Sequence, residues 1–245
     1  MRLLELGLRN YRNYARLDLT PGPALNVFLG SNGQGKTNLL ESASLLALSS
    51  SPRARRESEL VGPLAPAARV EAVVESSGAR RELRIDLEVV EGRARRSITV
   101  DGVAKRAVDL PGVFRVSLFW PDDLNLVKSG PEYRRRLLNQ LLVQVQPGYA
   151  RDLSRYARVL EQRNSLLKQV AARERPAQEL EVWDVELAAA GDRIAAARRQ
   201  AVAELEVEAA RAHAEIAAGE GLALSYEGPP DDLLEAVHKS QGEDL

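Results

Sequence analysis

Eight consecutive residues, Gly30, Ser31, Asn32, Gly33, Gln34, Gly35, Lys36 and Thr37, fit the spacing G-x-x-x-x-G-K-[ST]. Glycine at three of these positions lets successive backbone N–H groups turn to one side with no Cβ in the way, which makes a nest for phosphate oxygens. Lys36 supplies a mobile positive charge for the β- and γ-phosphates, and the Thr37 hydroxyl is a ligand for Mg²⁺. These residue types are therefore equipped to hold ATP with Mg²⁺, with Lys36 and Thr37 nearest the reacting phosphate.

A loop of this kind needs a strand to enter it and a helix to leave it. Residues 24–29 are short, apolar and partly β-branched, which predicts a buried strand, and residues 36–46 carry apolar side chains at helical spacing. The first N–H groups of that helix have no intrahelical partner, and the positive end of its dipole adds to the attraction for phosphate. Upstream, residues 4–8 and 15–19 alternate apolar and polar as strands do. Downstream, residues 69–75, 81–90 and 95–100 read as strands separated by the turn pairs Glu91-Gly92 and Asp101-Gly102. Residues 113–120 read as a further buried strand stopped by Pro121.

From residue 131 the pattern changes to Ala, Leu, Glu and Arg, with strong breaks only at Pro147-Gly148 and Pro176. Apolar steps of three and four place Leu153, Tyr156, Leu160, Asn164, Leu167 and Val170 on one helical seam. They place Leu180, Trp183, Leu187, Ala190, Ile194, Ala197, Ala201 and Leu205 on another. The short turn at Pro176 predicts an antiparallel pair, the second helix reaching roughly 60 Å if unbroken at ~1.5 Å per residue. Separate helices in a bundle are the other reading of the same seams. Residues 222–226 return to a strand pattern, and a helix follows from Asp231 to Lys239. The predicted division is a head at 1–130, a helical arm at 131–219, and a return to the head at 220–245.

Hydrophobic residues make up 44% and charged residues 28% of the 245, a balance that fits a globular protein and contains no apolar run long enough to span a bilayer. The absence of cysteine excludes a disulfide framework and a thiolate metal site, and with no signal-peptide pattern at the start the expected location is the cytoplasm. The net charge of −1 excludes a uniformly basic nucleic-acid binder but averages over patches. Of the 34 basic residues five are Lys, so 29 are Arg, and many cluster: Arg53, Arg55 and Arg56, then Arg80, Arg81 and Arg84, then Arg93, Arg95 and Arg96, then Arg134, Arg135 and Arg136. Arg suits bidentate contact with a nucleic-acid backbone, and it equally suits a solvated face in a chain of biased composition. His213 and His238 are solitary and read as surface residues.

Residues 6–14 spell L-x-L-x-N-[FY]-R-N-[FY] through Leu6, Leu8, Asn10, Tyr11, Arg12, Asn13 and Tyr14, and the loop continues into Thr37, Asn38, Leu39, Leu40 and Glu41. Both strings resemble the opening of SMC-like, ABC-type ATPases of DNA repair. Within that group the chain is most similar to the RecF family of bacterial recombination mediators. That pattern continues in residues 119–131, in Arg134 to Leu138, in residues 160–168 and from Trp183 to Leu187. The resemblance implies an α/β fold: a P-loop NTPase head of ABC/SMC type with an antiparallel β subdomain and an inserted α-helical arm. It implies that ATP draws two heads together as a clamp on duplex DNA at gaps or single-strand/double-strand junctions. The expected setting is recombinational repair, replication-fork recovery and the SOS response, with RecO and RecR as partners and RecA as the recombinase loaded. It also implies a weak, DNA-stimulated ATPase.

By the same resemblance Arg12 and Asn13 line the nucleotide, although the bare sequence reads them equally well as a turn between the first two strands. Arg53, Arg55, Arg56, Arg134 and Arg135 are the candidate DNA contacts. In this family the signature motif and the acidic Walker B strand fall beyond a point corresponding to Leu245, so the chain is read as ending before them, with poor dimerisation and hydrolysis expected. Where ABC heads offer a Q-loop Gln, this chain has Pro121, Asp122 and Asp123. Other SMC-like ABC ATPases, a P-loop small-molecule phosphotransferase and a structural coiled-coil protein remain alternatives; nucleotide binding measured with and without DNA separates them.

Overall fold

The computed structural model describes residues 1–245 apart from Ser77, Asp231 and Leu245, together with the backbone but not the side chains of 240–244. The chain divides into two compact units. One comprises Met1–Tyr133 with Val143–Val145, and the other comprises Arg134–Leu142 with Gln146–Leu245.

In the first unit six strands form one antiparallel sheet in the order β2-β1-β3-β4-β5-β6. They are β1 (Arg2–Tyr11), β2 (Tyr14–Leu19), β3 (Ala67–Ser76), β4 (Ala79–Val90), β5 (Arg93–Val100) and β6 (Val103–Ala104). Both turn pairs read from the sequence are present. Glu91 and Gly92 have φ of 51° and 75°, and Asp101 and Gly102 have 52° and 75°. Positive φ at both central residues is the twist that two-residue hairpins need. Burial alternates along β3, where Ala68, Val70, Ala72 and Val74 are covered, and Leu83, Ile85 and Leu87 of β4 continue the same face. Helix α1 (Lys36–Leu48) packs on β3 and β4 with Leu39, Leu45, Leu46 and Ala47, each buried leucine contributing about 2 kcal/mol.

Three expected strands are not strands. Residues 24–29, 113–120 and 222–226 have extended or irregular backbone without ladder pairing. Leu25, Val27 and Leu29 are 87%, 67% and 90% exposed, and Phe119 is 76% exposed. Alternation and β-branching make a segment fit to be a strand, but a strand exists only where a neighbour supplies hydrogen bonds. Among the described residues none of these segments has such a neighbour.

The second unit is helical. After the short α2 (Asn125–Lys128), α3 (Pro131–Val145) crosses from the first unit into it. Then come α4 (Tyr149–Ala171), α5 (Leu180–Ile216) and α6 (Leu233–Asp244). The predicted start of this last helix at Asp231 lies outside the described residues. Residues 220–245, read from the sequence as returning to the head, group with the helical unit instead.

Helices α4 and α5 form the antiparallel pair. Asp152 meets Arg193 at 2.9 Å, Arg155 pairs with Glu186, and Arg163 meets Asp184 at 2.5 Å, so one chain runs down as the other runs up. The α5 seam is largely as expected, with Leu180, Leu187, Ala190, Ile194, Ala197 and Ala201 buried and Trp183 and Leu205 half-covered. The α4 seam is displaced. Tyr149, Val159, Arg163 and Leu166 are buried, whereas Asn164 is exposed and Leu153, Tyr156, Leu160, Leu167 and Val170 are half-covered. Arg163 causes the discrepancy: its guanidinium is drawn inside by the buried Asp184, so an arginine occupies a core position that apolar periodicity assigns to solvent.

Candidate nucleotide-binding site

The loop at 30–37 closes on itself through its own groups. Lys36 Nζ donates to the carbonyl oxygens of Gly30 and Ser31 at 2.6 and 2.8 Å, and the Ser31 N–H donates to Gln34 Oε1 at 3.0 Å. Gly30, Gly33 and Gly35 have φ of 156°, 83° and 102°. The value at Gly35 lies where a side chain is strained, and a Cβ there would also lie 2.6 Å from the Asn13 amide. Glycine is required at that position on both counts.

Helix α1 begins at Lys36 with no side-chain hydrogen bond to its N-cap and no acidic residue in its first turn. Its leading N–H groups and dipole therefore face a site with no competing carboxylate, which is the setting an anion needs. The donors, the Lys36 ammonium and the exposed Thr37 at the second position of the helix fit the phosphates of a nucleotide. Among the described residues no group of three or more His, Asp or Glu is arranged to hold a metal. A Mg²⁺ here would rest on the Thr37 hydroxyl and on the phosphates that accompany it. By contrast, a depression of about 340 Å³ on the sheet is lined by Glu5, Asp18, Glu71 and Glu82, whose carboxylates repel phosphate.

Behind the loop lies a polar network that the sequence did not disclose. Glu41, one turn into α1, is fully buried, and Arg12 grips it with both arms of its guanidinium at 2.7 and 3.0 Å. Ser51 Oγ donates to the same carboxylate at 2.5 Å, and Arg53 Nη1 lies 3.5 Å from it. Arg12 also donates to the Glu59 carbonyl oxygen at 2.9 Å, and its backbone is held at φ 53° by these contacts. Burial works to lower the Arg12 pKa, but the hydrogen bonds and charge of Glu41 outweigh it and raise the value, so this arginine stays charged. Burial, reinforced by the Glu41 charge, pushes the neighbouring Tyr11 hydroxyl far above its ordinary range.

Sequence reasoning grouped Arg12 and Asn13 with the nucleotide and Arg53, Arg55 and Arg56 with DNA. The structure places the Arg12 guanidinium on Glu41 and the Asn13 amide on the loop backbone. Asn13 Nδ2 donates to the Gln34 carbonyl oxygen at 3.0 Å, Asn38 Nδ2 donates to Asn13 Oδ1 at 2.8 Å, and Tyr14 Oη donates to the Gly35 carbonyl oxygen at 3.2 Å. Arg53 reaches the same cluster, donating to Asn38 Oδ1 at 2.8 Å, while Arg55 and Arg56 are exposed beside it. Arg134 and Arg135 are exposed on α3 in the other unit. Glu41 is the buried anchor whose role the sequence argument passed over. The available signal was a carboxylate on the apolar face of a helix whose neighbours in sequence are Leu39, Leu40 and Leu45.

The strap of loop, helix and antiparallel sheet defines an ATPase head of the ABC/SMC type. A protein-family model described as an AAA domain matches residues 5–176. The head of an Smc protein from Pyrococcus furiosus superposes with a TM-score of 0.51 at 17% identity over 95% of this chain and 69% of that one, a likeness of fold alone. The particular family is narrower. The DNA replication and repair protein RecF of Agathobacter rectalis is 34% identical over 248 residues, covering 100% of this chain and 68% of the relative. RecF of Clavibacter sepedonicus is 42% identical over 216 residues, 87% of this chain and 52% of its own length. The solved structure of the recombination mediator protein RecF-ATP in the RecFOR pathway matches with a TM-score of 0.88 at 28% identity, covering 99% of this chain and 68% of that one. The chain belongs to the RecF family, and it spans about half the length of the Clavibacter relatives it matches.

Proposed function

We infer that this chain binds ATP and Mg²⁺ through residues 30–37 and acts in recombinational DNA repair and replication-fork recovery. The observation that carries the reading is a glycine loop opening an uncapped, acid-free helix, with Lys36 and Thr37 in place. Membership of a family whose named relatives are DNA replication and repair proteins supports the biological setting.

In this reading residues 1–130 form the ATP-binding head and 131–219 the arm, with the segment from 220 onward grouped with that arm. ATP brings two heads together as a clamp on duplex DNA near gaps or junctions, its hydrolysis releases the clamp, and the assembled protein helps load the recombinase in the cytoplasm together with RecO and RecR. Arg53, Arg55, Arg56, Arg134 and Arg135 contribute phosphate contacts, so DNA affinity falls steeply with added salt. The decisive measurement is ATP binding and ATP-dependent binding of a gapped duplex by the wild type and by Lys36→Ala. The reading requires that Lys36→Ala lose both; DNA binding that ignores ATP and Lys36 sinks the clamp.

A further inference from the structure

We propose that Asn13 and Tyr14 are positioning residues that preform the phosphate nest by fixing two peptide planes of the loop from outside; this rests on the reading of residues 30–37 as a nucleotide site. The argument concerns carbonyls rather than donors. In a trans peptide the C=O of one residue and the N–H of the next point in opposite directions, and among the described residues there are no cis peptide bonds. Whatever holds the Gln34 carbonyl therefore aims the Gly35 N–H, and whatever holds the Gly35 carbonyl aims the Lys36 N–H.

Both carbonyls are held by the turn between β1 and β2. Asn13 Nδ2 donates to the Gln34 oxygen at 3.0 Å, and Tyr14 Oη donates to the Gly35 oxygen at 3.2 Å. The Gly35 oxygen also accepts the first helical bond, from the Leu39 N–H at 3.0 Å. With both oxygens pinned toward the hairpin, the Gly35 and Lys36 N–H groups are directed away from it. Glycine at φ 102° is otherwise free to swing its peptide planes, so the pins remove a freedom that phosphate binding would have to freeze out. Asn13 is itself secured, since its Oδ1 accepts from Asn38 Nδ2 at 2.8 Å and Asn38 Oδ1 accepts from Arg53 at 2.8 Å. The string from Arg53 to the loop uses both ends of each amide, so neither asparagine can turn over without losing two bonds.

The test uses inorganic tripolyphosphate, which needs only the nest, beside ATP. Calorimetric titration of the wild type, Asn13→Ala, Tyr14→Phe and the double variant should show each single change weakening both ligands by about fivefold, as one lost hydrogen bond does. The ratio between the two ligands should not change. In amide spectra of the ligand-free protein the Gly35 and Lys36 signals should shift or broaden in the double variant, while those of α1 beyond Leu39 stay in place. Unaltered affinity and spectra in variants of a wild type that binds tripolyphosphate would overturn the proposal. So would a loss confined to ATP, which would make Asn13 and Tyr14 nucleoside contacts. A wild type that binds neither ligand refutes the nucleotide reading and the proposal with it. Because Tyr14→Phe keeps the ring and removes only the hydroxyl, its result does not depend on refolding around a gap.

Discussion

The phosphate loop and the arm each enclose a buried carboxylate gripped by an arginine, and the two pairs do different things. In the head, Glu41 gathers Arg12, Arg53 and Ser51, which belong to separate parts of the chain, and thereby fastens the β1–β2 turn and the segment after α1 to the helix that opens from the loop. In the arm, Arg163 and Asp184 join two helices that apolar seams already hold together. The head pair thus organises a surface meant for a ligand, and the arm pair sets which faces of two helices meet. A buried carboxylate anchors the loop's surroundings in one region and a helix register in the other.

Breaking the arm pair should have the largest effect on stability. Asp184→Ala removes the carboxylate that meets the buried Arg163 guanidinium and should cost about 3–5 kcal/mol by urea denaturation, whereas the combined Arg163→Met and Asp184→Leu should return close to wild type. If the double change also loses stability, the pair is more than a register device. Glu41→Gln comes next, at about 2–3 kcal/mol, because Arg12 retains a partly exposed route to solvent. Unlike the arm variants it should also weaken ATP binding, measured by calorimetry. An ATP affinity that does not change would remove the contrast between the two regions.

Gly35→Ala should destabilise by about 1–2 kcal/mol, through its left-handed backbone and its collision with the Asn13 amide, yet abolish detectable ATP binding. The smallest effect is acidic. Burial is the largest single influence on Asp86 and raises its pKa, but the hydrogen bonds and charges of Arg84 and Arg69 together outweigh it for a net depression, and Asp18 is lowered by Arg16 and Arg9. A carboxylate with a folded-state pKa below its unfolded one adds stability above the unfolded value and loses it as pH falls through the folded one. A thermal melt series should therefore show the sheet losing a modest part of its stability below about pH 4. Asp86→Asn should flatten that slope without touching the arm.

The phosphate loop was legible because its chemistry is local. Glycine spacing, one lysine and one threonine specify the nest within eight residues, and the hairpin turns at Glu91 and Asp101 were legible for the same reason. The α5 seam could be read because most of its buried positions are apolar, Asp184 being the exception. The α4 seam could not, since Arg163 sits inside only by virtue of an aspartate on another helix. Residues 24–29 show the complementary failure: the segment is short, apolar and partly β-branched as a strand would be, but pairing belongs to the neighbour and not to the segment.

The sequence alone determined the loop, the helix that follows it, the hairpins of the sheet and the helical character of most of residues 131–216. Short-range backbone preference and side-chain periodicity suffice for those. Tertiary structure decided where the charges went. It set Arg12 on Glu41, brought Asn13 and Tyr14 against the loop carbonyls, and drew Arg163 into the arm. A buried charge is tolerable only beside its counter-charge, and the counter-charge lies 29 residues away in one case and 21 in the other, beyond the reach of any local pattern.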